Sequence, residues 1–283
     1  MTSSLFHPAS APDYLPTAQM KLLQLDRLRS VVERAFHNVE LFRTRLGERG
    51  LEPADIRGLE DIAKLPFTVK TDLRDAYPFG LFASPMQEVV RLHASSGTTG
   101  KPIVVAYTRE DLDVWTGVMV RSLASCGITR GDIVQNSYGY GLFTGGLGTH
   151  YGAEALGATV IPISGGNTDR QIMVMKDFKV TAICCTPTYF IHLLDRAGEM
   201  GVDVRGLPLR AGVFGAEPWT CLLYTSYTLG PIGRFRRFLG LLQIGLRTFM
   251  IGEIREGFDK IRPSLANQRP DAFENRHFAP VSL

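Results

Sequence analysis

Apolar residues recur at three- and four-residue steps over residues 17–46, at Leu22, Leu25, Leu28, Val32, Phe36, Val39, Phe42 and Leu46. That period traces one face of a helix, and Gly47 and Gly50 end it. The stripe is core packing and carries no function. Residues 65–77 predict a short extended entry, then a helix over 72–76 with Thr71 as its N-cap. From residue 89 onward, β-branched runs alternate with amphipathic ones. The runs at 89–94, 103–107, 132–137, 157–164, 180–186 and 209–214 predict strands. Helices are predicted from Thr108 to near Gly127, from Thr168 to about Phe178, and over residues 187–200. Thr108 with Asp111 reads as a capping box with Asp in place of Glu, and Thr168 with Gln171 as the cap of the next helix. Strands alternating with helices of this length predict an α/β fold, with parallel or mixed sheets flanked by helices. Three regions follow: a polar, proline-punctuated lead at 1–16, a folded unit at 17–220, and an atypical tail at 221–283.

Composition narrows this only a little. The 283 residues include 45% hydrophobic and 21% charged positions, as in an ordinary soluble protein. The formal net charge of +3 is too small to argue for nucleic acid. It also belongs to the tail: residues 1–220 carry 22 Lys+Arg against 23 Asp+Glu, and residues 221–283 carry 9 against 5. Cys126, Cys184, Cys185 and Cys221 form no C-x-x-C pair, and Cys184 and Cys185 in one strand point to opposite faces. Buried free thiols of this kind predict a reducing, cytoplasmic setting. No apolar run reaches membrane-spanning length, and no membrane partner is expected.

Candidate chemistry concentrates between two of the predicted strands, in Ser95-Ser96-Gly97-Thr98-Thr99-Gly100-Lys101-Pro102. Glycines let the backbone approach an oxyanion, the hydroxyls add donors, and Lys101 adds a mobile positive charge. The stretch is a candidate phosphate cradle. A Walker A loop is excluded on two counts. Ser95 stands where its first glycine is needed, and Pro102 where a Ser or Thr must follow the lysine. A second stretch, 138–148, alternates glycines with Tyr138, Tyr140 and Phe143, which supply flat apolar walls suited to an aromatic acid. A third, Gly215-Ala216-Glu217-Pro218, follows a strand at the end where α/β proteins put ligands. His150 and Glu154 are four apart and share a helix face, with no third metal ligand nearby in sequence; no metal site is predicted. There is no G-x-S-x-G, so a serine hydrolase has no nucleophile to name.

The loop at 95–101 resembles the phosphate-binding loop of the acyl- and aryl-adenylate-forming ligases. Further blocks agree with it in order: 65–74, 138–146, 150–154 and 215–220. Together they resemble the phenylacetate–CoA ligase branch, over about residues 16–220. The resemblance implies the N-terminal domain of that fold, in part, with the small C-terminal domain missing. It implies two steps. A carboxylate attacks the α-phosphorus of ATP to give acyl-AMP and pyrophosphate, and coenzyme A thiol then displaces AMP. Ser95, Ser96, Gly97, Thr98, Thr99, Gly100 and Lys101 would hold phosphates, with Mg2+ bridging their oxygens. Gly215, Ala216, Glu217 and Pro218 would line the adenine and ribose pocket. Tyr138, Tyr140, Gly141 and Phe143 would line the aryl pocket. Partners are a small aryl acid, ATP and coenzyme A, with a possible homodimer and no nucleic acid. The alternatives are a ligase for another aryl acid such as benzoate, a non-catalytic nucleotide-binding module and, more distantly, a P-loop kinase.

The resemblance stops after Thr220. From residue 221 to 252 the only charges are Arg234, Arg236, Arg237 and Arg247. The family's magnesium glutamate, ribose aspartate and catalytic lysine are not found in this tail, so no catalytic residue is assigned. The tail reads as a frame-shifted or chimeric end, as a natural truncation with divergent sequence, or as a basic surface helix around 234–250. The chain as written is expected to be a fragment, inactive alone.

Overall fold

In the computed structural model, residues 7–95, 101–142, 144–217 and 237–240 are described, the last four by their backbone alone. The first helical stripe is divided. Helix α1 (Thr17–Asn38) and helix α2 (Glu40–Glu48) are separated at Val39, which is extended (φ −116°, ψ 106°). Asn38 and Val39 are both poor helix formers, and the Asn38 side-chain amide donates back to the Arg34 carbonyl instead of supporting a straight continuation. Helix α3 (Lys70–Asp75) corrects a second expectation. Its N-cap is Val69, not Thr71, and the Asp72 carboxylate reaches back to accept the Val69 amide at 2.7 Å. The same carboxylate takes a two-pronged bond from Arg45, at 2.6 and 2.7 Å, which ties α3 to α2.

Strands β1 (Val89–Ala94) and β2 (Val104–Thr108) form an antiparallel pair. Helix α4 (Arg109–Ser125) then opens on the capping box read from sequence. Thr108 Oγ1 accepts the Asp111 amide at 3.2 Å, and the Asp111 carboxylate accepts the Thr108 amide at 2.8 Å. The remaining elements are β3 (Ile133–Asn136), helix α5 (Gly145–Leu156), β4 (Thr159–Ile161), helix α6 (Thr168–Asp177), β5 (Ala182–Cys185), helix α7 (Pro187–Glu199), β6 (Ala211–Phe214) and β7 (Arg237–Gly240). The last five strands make one parallel sheet in the order β4-β3-β5-β6-β7. β7 comes from the tail and extends the sheet beyond β6.

Burial divides the side chains of this sheet between two layers. Val120, Leu123, Ala153, Leu156, Val134, Cys184 and Val213 pack on one face beneath α4 and α5. Ile172, Met175, Phe190, Leu193, Ile183, Cys185 and Phe214 pack on the other beneath α6 and α7. Cys184 and Cys185 fall on opposite faces, as strand alternation requires. α5 lies close on α4 because it carries glycine at the contact: a Cβ on Gly148 would sit 2.6 Å from the Trp115 ring, and one on Gly152 2.5 Å from Met119. The proline-rich lead is not idle. A 3-10 turn at Pro8–Tyr14 docks on α4 through Asp13 and Arg121, and Ala9 packs on the core.

Four carboxylates among the described residues are ionised more readily in this fold than in an unfolded chain, one of them Asp169, which the Arg196 guanidinium holds low. Asp61 is lowered to about 2 by Lys64 and by the Gly58 and Arg57 amides. Asp72 is lowered by Arg45 and the Val69 amide. Burial pushes Asp132 upward, but Thr181, Arg210 and the Thr129 amide outweigh it and hold it low. Such groups contribute stability above the unfolded value of 3.8, and the contribution is lost as pH falls through the folded values. The urea midpoint, followed by circular dichroism, is therefore expected to hold from about pH 7 to 5 and to drop between about pH 4 and 2. A midpoint that stays flat to about pH 2 would contradict it.

Candidate functional site

The strand order locates a crevice before any residue is considered. From β3 the chain passes to β4 on one side, then crosses back to β5 on the other. The carboxyl ends of β3 and β5 are therefore a topological switch point, where open parallel sheets bind ligands. The segment 137–142 leaves β3 at that point. Tyr138 spans it: its hydroxyl donates to the Cys185 carbonyl at 2.7 Å, and the Ser137 amide donates to the Cys184 carbonyl at 2.8 Å. Burial raises the Tyr138 hydroxyl far above the ordinary tyrosine range, while the Gly215 backbone lies against the same hydroxyl. The ring is 8% exposed and belongs to the core beneath α4 and α5, so its face is largely spent on packing.

Tyr140 is half-buried and sits in a polar chain. The fully buried Asn136 donates to the Tyr140 hydroxyl and to the Gly146 carbonyl, both at 2.7 Å. That hydroxyl lies 3.2 Å from His150 Nδ1, and His150 Nε2 lies 3.0 Å from Glu154. Sequence spacing placed His150 and Glu154 on one helix face; their use is to orient Tyr140. Burial raises the Tyr140 hydroxyl to about 12, so it stays protonated at neutral pH. Gly141 has φ 133°, a left-handed value that L side chains avoid, and open space where a Cβ would be. Phe143 lies outside the described residues.

Of the candidate cradle at 95–101, Ser95 and Lys101 are described; Ser96, Gly97, Thr98, Thr99 and Gly100 are not. Ser95 closes the hairpin, its amide donating to the Ile103 carbonyl at 2.9 Å and its Oγ accepting the Ile103 amide at 3.0 Å. Lys101 is exposed, with Nζ 5.3 Å over the Tyr77 ring. β1 is joined to the switch-point segment at its end, where the Ala94 amide and His93 Nδ1 both meet the Leu142 carbonyl, at 3.2 and 2.9 Å.

The third stretch lies at the carboxyl end of β6, beside β5. Ala216 takes φ 70°, an uncommon conformation for a residue with a Cβ. The Glu217 carboxylate accepts the Thr188 amide at 2.6 Å and the Thr188 hydroxyl at 2.9 Å, at the start of α7. It thus serves the positive end of that helix. Pro218 lies outside the described residues.

Sequence reading missed two supports of this site. His93 stands in no motif of the sequence, yet it is 2% exposed and stands edge-on to Tyr107 and Trp115. Thr168 with Gln171 reads as a helix cap, but Asn167 caps α6, its side chain accepting the Arg170 amide at 3.3 Å. Gln171 is fully buried and accepts from Gln135 and Ser137 while donating to the Ser164 and Gly166 carbonyls. This network stitches the segment after β4 to the end of β3. Its only sequence signal is an amide in the first turn of a helix, which a cap explains equally well. Among the described residues no group of three or more His, Cys, Asp or Glu could hold a metal ion, and no helix is long and apolar enough to cross a membrane.

No protein-family model matches the chain. Curated relatives do. The chain is 53% identical over 222 residues to a phenylacetate-coenzyme A ligase of Pseudomonas putida, covering 77% of this chain and 51% of that protein. It is 51% identical over 203 residues to one from Escherichia coli K12, covering 71% and 46%. Among solved structures, a 2-hydroxyisobutyryl-CoA ligase with bound 2-HIB-AMP superposes with a TM-score of 0.77 at 25% identity, over 86% of this chain and 52% of that one. The same ligase with 2-HIB-AMP and CoA gives 0.74 at 29% identity, over 80% and 49%. By sequence identity and by its α/β architecture this chain is similar to the phenylacetate-coenzyme A ligases and to a solved acyl-CoA ligase, and it spans about half of their length.

Proposed function

We propose that the chain carries the nucleotide- and acid-binding parts of an AMP-forming phenylacetate–CoA ligase. The observation that supports this most is the bond between the end of β1 and Leu142, which brings the strand leading into the phosphate loop against the glycine-aromatic segment at the switch point. In this reading Ser95 to Lys101 face the ATP phosphates. Glu217 and its neighbours face the adenine and ribose. Tyr140, Gly141 and Phe143 enclose the aryl acid, and Tyr138 supports them from the core. The described residues offer no ligand cluster for magnesium, and Lys101, exposed at the end of the loop, offers a positive charge to phosphate.

The chemistry asked of these residues is positioning and charge neutralisation. The acid carboxylate must approach the α-phosphorus in line while the phosphate oxygens are held by amides, hydroxyls and the Lys101 ammonium. Coenzyme A is the acceptor in the second step. Tyr140 acts as a wall. Its oxygen already accepts from Asn136, and His150 Nδ1 competes for its proton. The cytoplasm is the compartment this reading assigns, in keeping with the buried free thiols of Cys126, Cys184 and Cys185.

The test is acid-dependent pyrophosphate release from ATP with phenylacetate, benzoate and a long-chain fatty acid, run on this chain and on a relative of full length. Phenylacetate is expected to be preferred where turnover occurs. A preference for the fatty acid would overturn the aryl assignment. ATP binding without any acid-dependent release, in a chain completed to the relatives' length, would indicate the non-catalytic module.

A further inference from the structure

His93 has a feature that packing does not explain. The Leu142 carbonyl can only accept, so His93 Nδ1 carries the proton and donates to it at 2.9 Å. Nε2 is then a bare acceptor. It is buried and has no hydrogen-bond partner among the described residues. The His93 ring stands edge-on to Tyr107 and Trp115, whose rings stack on each other at 5.2 Å. A buried acceptor without a partner destabilises a fold, and a phenyl ring of similar size would remove the defect. The Leu142 carbonyl would not be orphaned by that change, because the Ala94 amide also donates to it. The benefit of a histidine here therefore lies in the Nδ1 bond itself. That bond is shorter than the one from Ala94, and it joins β1, two residues before Ser95, to the residue that follows Gly141.

We infer that His93 is a positioning residue that couples the nucleotide and acid sites, by fixing the switch-point segment to the strand that leads into the phosphate loop. The inference rests on the functional reading above. ATP held at the end of the hairpin restrains β1. Through His93 the restraint passes to Leu142, so the wall of the acid pocket is already ordered when phenylacetate arrives. Each ligand then raises the affinity of the other by the same factor.

The experiment is calorimetric titration of the 283-residue chain with ATP and with phenylacetate, each alone and with the other saturating. Three proteins are compared: wild type, His93→Phe and His93→Asn. Wild type is expected to bind phenylacetate on the order of tenfold more tightly when ATP is present. His93→Phe keeps the ring and loses the donor. It is expected to bind each ligand alone within about twofold of wild type, to lose the coupling, and to melt within about 3 °C of wild type. His93→Asn places an amide N–H near the position of Nδ1 and is expected to restore most of the coupling. Coupling retained in His93→Phe would overturn the inference. So would equal loss in both variants together with a lower melting temperature, which would mark His93 as packing alone. Wild type that binds both ligands without coupling overturns this inference and leaves the functional reading standing. Wild type that binds neither ligand overturns the functional reading, and this inference with it.

Discussion

Lys101→Ala is expected to weaken ATP binding by about 10- to 150-fold, the equivalent of a lost charge-assisted bond of about 1.5–3 kcal/mol, while phenylacetate affinity stays within about twofold. The side chain is exposed, its ammonium lies over the Tyr77 ring, and no carboxylate among the described residues pairs with it. A cation in that state is available to a phosphate and contributes little to stability, so the melting temperature is expected to stay where it is. The effect should shrink at high salt, because an exposed charge is screened. Thr99→Ala, in the part of the loop outside the described residues, is expected to act in the same direction. Phe143→Ala is expected to do the reverse, harming the aromatic acid more than ATP. Calorimetry on the variants checks all three. Unchanged ATP affinity in both Lys101→Ala and Thr99→Ala would make the loop structural and remove the basis of the nucleotide assignment.

The largest expected loss of stability lies at the other end of the sheet. Asp132 stands before β3 with its side chain 3% exposed. Its carboxylate accepts from the Thr129 amide and hydroxyl at 2.7 and 3.0 Å, from the Thr181 hydroxyl at 2.7 Å, and from Arg210 through Nε at 2.9 Å and through Nη2. These bonds pin the turn before β3 to the starts of β5 and β6. Asp132→Ala removes the shared acceptor of the Thr129 amide, the Thr181 hydroxyl and Arg210 and is expected to cost about 3 kcal/mol in urea unfolding. Arg210→Ala is expected to cost a similar amount, because it leaves a buried carboxylate without its cation. The double variant should cost less than the two single losses added together, since each removes the same interaction. Additive losses would mean that the pair is not coupled. ATP affinity of the folded fraction is expected to be unchanged, which separates this cluster from the site at the opposite edge.

The elements that sequence made legible are those whose signal is local. The Thr108–Asp111 box, the alternation of Cys184 and Cys185, and the switch between β-branched and amphipathic runs each depend on residues close in the chain. The misses depend on distant partners. Val39 interrupts a sound apolar stripe because the chain turns there into α2. Gln171 looks like a cap until Gln135 and Ser137 arrive from β3. Tyr138 reads as a pocket wall, yet most of its surface is spent in the core and its hydroxyl bridges two strands. Gly148 and Gly152 read as part of a glycine-rich loop and helix, whereas their use is the close approach of α5 to Trp115 and Met119. His93 carried no pattern at all, because its partner Leu142 is 49 residues away. Three motifs were legible in the sequence; that the end of β1 meets the segment leaving β3, and that Glu217 meets the start of α7, needed the fold.

Titration of the purified 283-residue chain with ATP, and then with phenylacetate in the presence of saturating ATP, measures the central claim most directly. The account predicts saturable binding of both, with phenylacetate bound more tightly than a long-chain fatty acid under the same conditions. Absence of ATP binding by a chain that melts cooperatively, or tighter binding of the fatty acid, would contradict it.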